Sequence, residues 1–137
     1  MKNTSICFVL ILLLTTMVSA QSRKEIEKAG VKKITETDVR IENGKEVKVV
    51  ISETKYDSNG REIECKEWEK KTGAFKKHER YFYNSNGDLV KVIEYDSKGK
   101  ETKHIVYKYN SDGMKTSKEV YEPPGTLKSK RIYQYEK

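Results

Sequence analysis

Two histidines, His78 and His104, and one cysteine past the first twenty residues, Cys65, are the side chains best suited to acid–base, metal or nucleophilic chemistry. No serine or cysteine stands beside either histidine in a nucleophile motif. A shared metal would need both imidazoles about 2 Å from one centre. On a sheet they fall two strands and two residues apart, roughly 12 Å at ordinary strand spacing and rise, and so read as separate, solvated strand side chains. A lone cysteine makes no internal disulfide; Cys65 reads as a small buried residue or a site of pairing between chains. Glutamates are so frequent that any chosen carboxylate pair is uninformative as a glycosidase signature. These residues imply no cofactor and no metal.

Binding chemistry has more support. Lys66, Lys76, His78, Arg80, Lys108, Lys118, Lys128 and Lys130 alternate along extended segments, with Trp68 and Phe82 among them. Cations interleaved with aromatic rings suit an acidic polysaccharide or an anionic surface. The bland alternative is a solvated sheet face whose lysines resist edge-to-edge aggregation. A second set, Tyr81, Tyr83, Tyr95, Tyr107, Tyr109 and Tyr133, is either the core or an aromatic platform. With Trp68, Phe82 and Arg80 it forms the candidate binding surface.

The elements that position these residues are read from the turns. Tyr83 to Gly113 repeats one pattern: tyrosine, Asp or Asn, Ser, a polar residue, glycine, then an extended run. An Asx side chain opens such a turn by bonding the backbone two residues on, and glycine at the fourth position takes a left-handed conformation that starts the return strand. Tyr56 to Gly60 repeats it, Trp68 to Gly73 is longer by one residue, Asn43-Gly44 is a tight hairpin turn, and Tyr121 to Gly125 closes the series. Successive turn glycines are 16, 13, 14, 12, 14 and 12 residues apart. This predicts an all-β antiparallel up-and-down meander of seven or eight strands in a curved single sheet. Pairing Asn84 with Asp88, Asp96 with Lys100 and Asn110 with Met114 predicts that odd-numbered residues share one apolar, tyrosine-rich face.

Residues 1–20 read as a secretory signal peptide: Lys2, the apolar run Ile6 to Leu14, and Val18-Ser19-Ala20 before Gln21. Cleavage would leave 117 of the 137 residues, with 27 Lys and Arg against 21 Asp and Glu, a charge of +6 and no membrane-spanning segment. Residues 21–38 form a lead-in, either disordered or a short helix with Ser22 to Glu25 as a capping box, and 39–137 the meander domain. An outer-membrane barrel is excluded by Lys77, Lys91, Lys103 and Arg131 on the apolar face, since each would cost roughly 2–4 kcal/mol against lipid.

Tyr95-Asp-Ser-Lys-Gly99 and its neighbours at Tyr56, Tyr83 and Tyr109 resemble the tyrosine-aspartate repeats of secreted bacterial shell proteins. They equally resemble MORN-type hairpin repeats, and the whole chain is similar to small exported bacterial proteins of unknown function. The resemblance spans about residues 41–135, encodes a turn and carries over no functional residues. The function expected is an exported, periplasmic or extracellular, non-enzymatic binding or interaction module. Its partner is an anionic polysaccharide, a cell-surface component or a protein, with no nucleic acid expected; a homodimer through the tyrosine face is a further option. The alternative is a small secreted hydrolase or enzyme inhibitor.

Overall fold

Turn chemistry of this kind brings each strand back beside its predecessor, and a computed structural model describing residues 23–136 shows the result. One short helix, 23–29, precedes eight strands: β1 (Lys33–Glu42), β2 (Lys45–Tyr56), β3 (Glu62–Trp68), β4 (Phe75–Tyr83), β5 (Leu89–Tyr95), β6 (Glu101–Tyr109), β7 (Lys115–Glu122) and β8 (Thr126–Ile132). They form a single antiparallel sheet in sequence order, β1 and β8 at its edges, with no closure into a barrel. The expected signal peptide lies outside the described residues, as does Ser22 of the capping box. β1 begins at Lys33, inside the segment read as a lead-in. Among the described residues no helix is long and apolar enough to cross a membrane.

The turns are built as their residues predict. Asp57, Asn84, Asp96 and Asn110 each accept, through Oδ1, backbone N–H groups two and four residues on, at 2.9–3.0 Å. Gly60, Gly87, Gly99 and Gly113 have φ of 69°, 86°, 79° and 76°, the left-handed region. The longer turn after Trp68 closes with Glu69 and Ala74 paired at 2.7 Å.

The register beyond the turns departs from the expectation. Tyr83 does pair with Leu89, Tyr95 with Glu101 and Tyr109 with Lys115. One step further the register shifts, and Phe82 pairs with Lys91, Glu94 with Lys103 and Lys108 with Ser117. Val90, Thr102 and Thr116 are the extra residues of β-bulges, and Ile63, Lys76 and Lys128 occupy the same place after the other long turns. One extra residue flips the parity of the strand it enters. The tyrosines therefore do not all share the odd face. Tyr81 pairs with Val92, Val92 with Ile105, Ile105 with Val120, Tyr107 with Lys118, and Lys118 with Arg131; these lie on one side, the Tyr81 face. His78, Arg80, Phe82, Lys91, Ile93, His104, Val106, Glu119 and Tyr121 lie on the other, the Phe82 face.

The bulges also explain a 26-residue unit of two strands. Tyr83, Tyr109 and Tyr135 recur at that interval, and their hydroxyls donate to the carbonyls of Glu62, Leu89 and Lys115 at 2.7, 2.6 and 2.7 Å. Each acceptor stands immediately before a bulged residue, where the ladder is locally broken. A phenol from the next strand thus serves a carbonyl at the point where sheet bonding is interrupted. Tyr95 and Tyr121, at the same interval, instead stack on histidines.

Among the described residues no second layer covers either face, so burial comes from neighbouring strands and, at the turn after β2, from the short helix. The buried apolar residues are Ile26, Cys65, Val92 and Ile93, and no large side chain is fully enclosed. The helix carries Ile26 to the turn after β2, where Arg23 Nε donates to the Asn59 carbonyl at 3.4 Å.

Candidate binding surfaces

Strand alternation puts different chemistry on the two faces. On the Phe82 face, His78 stacks on Tyr95 with ring centroids 4.7 Å apart, and His104 on Tyr121 at 4.9 Å. Each imidazole also contacts a carboxylate at 2.8 Å, His78 Nε2 with Glu64 and His104 Nδ1 with Glu101. The expectation of two solvated histidines is thereby corrected. So is their alignment: His104 pairs with Ile93 and Tyr121, not with Val92, and His78 with Lys66. Equivalent positions two strands apart are still offset by two residues, so the histidines remain separated by roughly 12 Å.

Glu64 sits between Lys55 at 2.6 Å and His78. Its burial disfavours the charged form, but hydrogen bonds from Lys55 and His78 outweigh this and lower its pKa from 4.5 to about 2. A carboxylate depressed in the folded state stabilises the fold above its unfolded pKa and loses that contribution as pH falls through the folded value. Between pH 4.5 and about 2 the wild-type melting temperature is therefore expected to fall more steeply than that of Glu64→Gln. Parallel melting curves across that window would contradict the assignment. Glu119, only 4% exposed, accepts from the Tyr121 hydroxyl at 2.8 Å and from Lys130 and Lys108 at 3.0 and 3.1 Å. These three donors lower its pKa to about 2.

On the Phe82 face, two cations flank one ring. Arg80 lies 5.8 Å and Lys91 6.0 Å from the Phe82 centroid, and the ring is 38% exposed. Lys66 lies further along the same face, across from His78.

On the Tyr81 face, β1 to β4 line a cleft of about 500 Å³ that includes Glu36, Ser52, Glu67, Trp68, Lys77 and Tyr81. Two of its carboxylates are engaged: Glu36 accepts from Ser52 Oγ at 2.8 Å, and Glu67 is held by Lys77 at 3.1 Å, which also reaches Glu79 at 3.3 Å. The Lys77 hydrogen bond lowers the pKa of Glu67, which makes it a fixed anion and a poor proton donor at neutral pH. Cys65 is unpaired and buried on this face, and burial pushes its thiol pKa up, against thiolate chemistry.

Toward β8 the same face becomes basic. Lys118 lies directly across from Arg131, and Lys115 Nζ sits 4.3 Å from the Tyr107 ring centroid. Tyr133 continues this face, its N–H bonded to the Thr116 carbonyl at 3.0 Å. Among the described residues Lys115, Lys118 and Arg131 form no ion pair, and neither do Lys66, Arg80 and Lys91.

The aromatic candidates are thus divided. Tyr81, Tyr107 and Tyr133 lie on one face, Phe82, Arg80 and Tyr95 on the other. Tyr83 and Tyr109 spend their hydroxyls on the bulged corners, and Trp68 ends β3 at the cleft. Tyr107 neighbours Lys118, not Ser117 as the simple register had it. A register without bulges separates Lys118 from the tyrosines and from Arg131, because it sends Lys118 to the opposite side. The regular aromatic residue ahead of each turn is the signal that marks the corner where the shift occurs.

No family model matches the chain, and no curated protein matches it. Among solved structures, a crystal structure of the GtfA/B complex bound to UDP and GlcNAc is similar over 74% of this chain and 24% of the other, at 20% identity and a TM-score of 0.31. The chain thus spans about a quarter of the length of that relative.

Proposed function

We propose that this chain is an exported, non-enzymatic binding module for an anionic polysaccharide, held on the basic end of the Tyr81 face. The observation that carries the reading is the juxtaposition of Lys118 and Arg131 across one strand pair. Like charges directly opposite each other destabilise a sheet. Here Lys115 adds a third cation over Tyr107, and no carboxylate of the described residues offsets the three. A bound anion would supply that missing charge, and Tyr107 and Tyr133 would offer ring faces to a sugar. The charge of +6 expected after cleavage adds longer-range attraction for any polyanion.

Heparin serves as a sulfated polysaccharide probe, with uncharged dextran as control. Wild-type protein is expected to bind heparin, with affinity falling as salt rises, and to ignore dextran. Lys118→Gln/Arg131→Gln is expected to weaken heparin binding at least tenfold. Lys98→Gln/Lys100→Gln removes the same charge from a distant turn and should weaken it only slightly. Equal losses in the two variants would reduce the interaction to net charge and overturn the site.

A further inference from the structure

We propose that the sheet is bivalent, with a second anion site on the Phe82 face, so that one molecule bridges two anionic polysaccharide chains. This rests on the reading above and extends it to the opposite side. The second site is Arg80 and Lys91 beside the exposed Phe82 ring, with Lys66 further along the same face across from His78. Arg80 and Lys91 lie 5.8 and 6.0 Å from its centroid, and none of the three cations has a carboxylate partner among the described residues.

Placement on opposite faces follows from the register. Tyr81 and Phe82 are consecutive in β4 and point to opposite sides. Tyr81 connects through Val92, Ile105 and Val120 to the strand positions of Lys118, while Phe82 pairs with Lys91. In a two-layer domain one of these faces would be packed against the other layer. Among the described residues neither is covered, and Phe82 is 38% exposed. Lys118 is two strands from Lys91 and on the opposite face, so a short ligand held at one site does not reach round the edge of the sheet to the other.

The local carboxylates do not neutralise these cations. Glu64 is satisfied by Lys55 at 2.6 Å and by His78, and Glu119 by Lys108 and Lys130. Both are engaged without Arg80, Lys91 or Lys66, which leaves those cations available. A flexible chain held at two sites gains avidity beyond either alone, and two chains held at once are cross-linked.

The test uses the full secreted chain with a heparin tetrasaccharide and with long heparin. Isothermal titration with the tetrasaccharide is expected to give two sites per protein molecule. Long heparin is expected to give light scattering that peaks at an intermediate ratio and disappears in heparin excess, as bridging requires. Lys66→Gln/Arg80→Gln/Lys91→Gln changes one exposed and two half-buried side chains, and circular dichroism checks that the sheet persists. This variant should fall to one tetrasaccharide site and lose the scattering peak while still binding heparin. One site in the wild type, or an unchanged peak in the triple variant, overturns bivalency and leaves the first site standing. No heparin binding by the wild type overturns the underlying reading itself.

Discussion

Gly60→Ala is expected to destabilise the protein by about 3 kcal/mol, and Gly99→Ala by only about 1 kcal/mol, although the two glycines occupy the same place in the same kind of turn. Both have left-handed φ, 69° and 79°, so both variants carry the cost of placing a side chain in that conformation. The difference lies in what a methyl group would meet. At Gly99 nothing lies within 4 Å. At Gly60 the new Cβ would stand 2.6 Å from the Arg23 carbonyl oxygen and 3.1 Å from Glu27 Cβ. A backbone atom cannot swing aside as a lysine end would, so the helix must lift, taking buried Ile26 with it. Urea denaturation of the two variants measures the gap. Equal effects would mean that the helix does not dock on this turn in solution.

Ile93→Ala is expected to cost about 2–3 kcal/mol, while Phe82→Ala, which removes a larger group, should cost less than about 1 kcal/mol. In a sheet with no second layer, enclosure comes only from strands on either side. Val92 and Ile93 are neighbours in sequence on opposite faces, and both are buried, at 6% and 9% exposure. They lie on β5, with Tyr81 and Ile105 flanking one and Arg80 and His104 flanking the other. Phe82 lies one strand away but near the turn, where its ring stays open. Denaturation midpoints compared at constant m-value decide the matter; a larger loss for Phe82→Ala would place the packed centre elsewhere. The Ile93 estimate stays at the lower end of large-to-small substitutions because an uncovered face lets water and lysine stems fill the space.

These expectations separate what is local in the chain from what is not. The turns are local: an Asx side chain, a glycine three residues on and the bonds between them lie within five residues, so the residues alone determine where the chain reverses. Eight strands in sequence order follow from those reversals, as does antiparallel pairing. The first pair beyond each long turn is also legible, because turn geometry dictates it. Past that pair the register belongs to the sheet. Whether Val90, Thr102 or Thr116 is accommodated as an extra residue depends on two strands pairing along their whole length, and at Val90 and Thr116 a tyrosine from a neighbouring hairpin donates to the carbonyl beside the bulge. That one residue decides which face every later side chain occupies. Residue types alone therefore identified cations and rings suited to an anionic ligand, including Arg80 and Phe82. Only the tertiary structure placed Lys118 across from Arg131 beside Tyr107, moved Tyr95 to the opposite side, and left both faces bare, because pairing parity and coverage are properties of the assembled sheet and not of any segment within it.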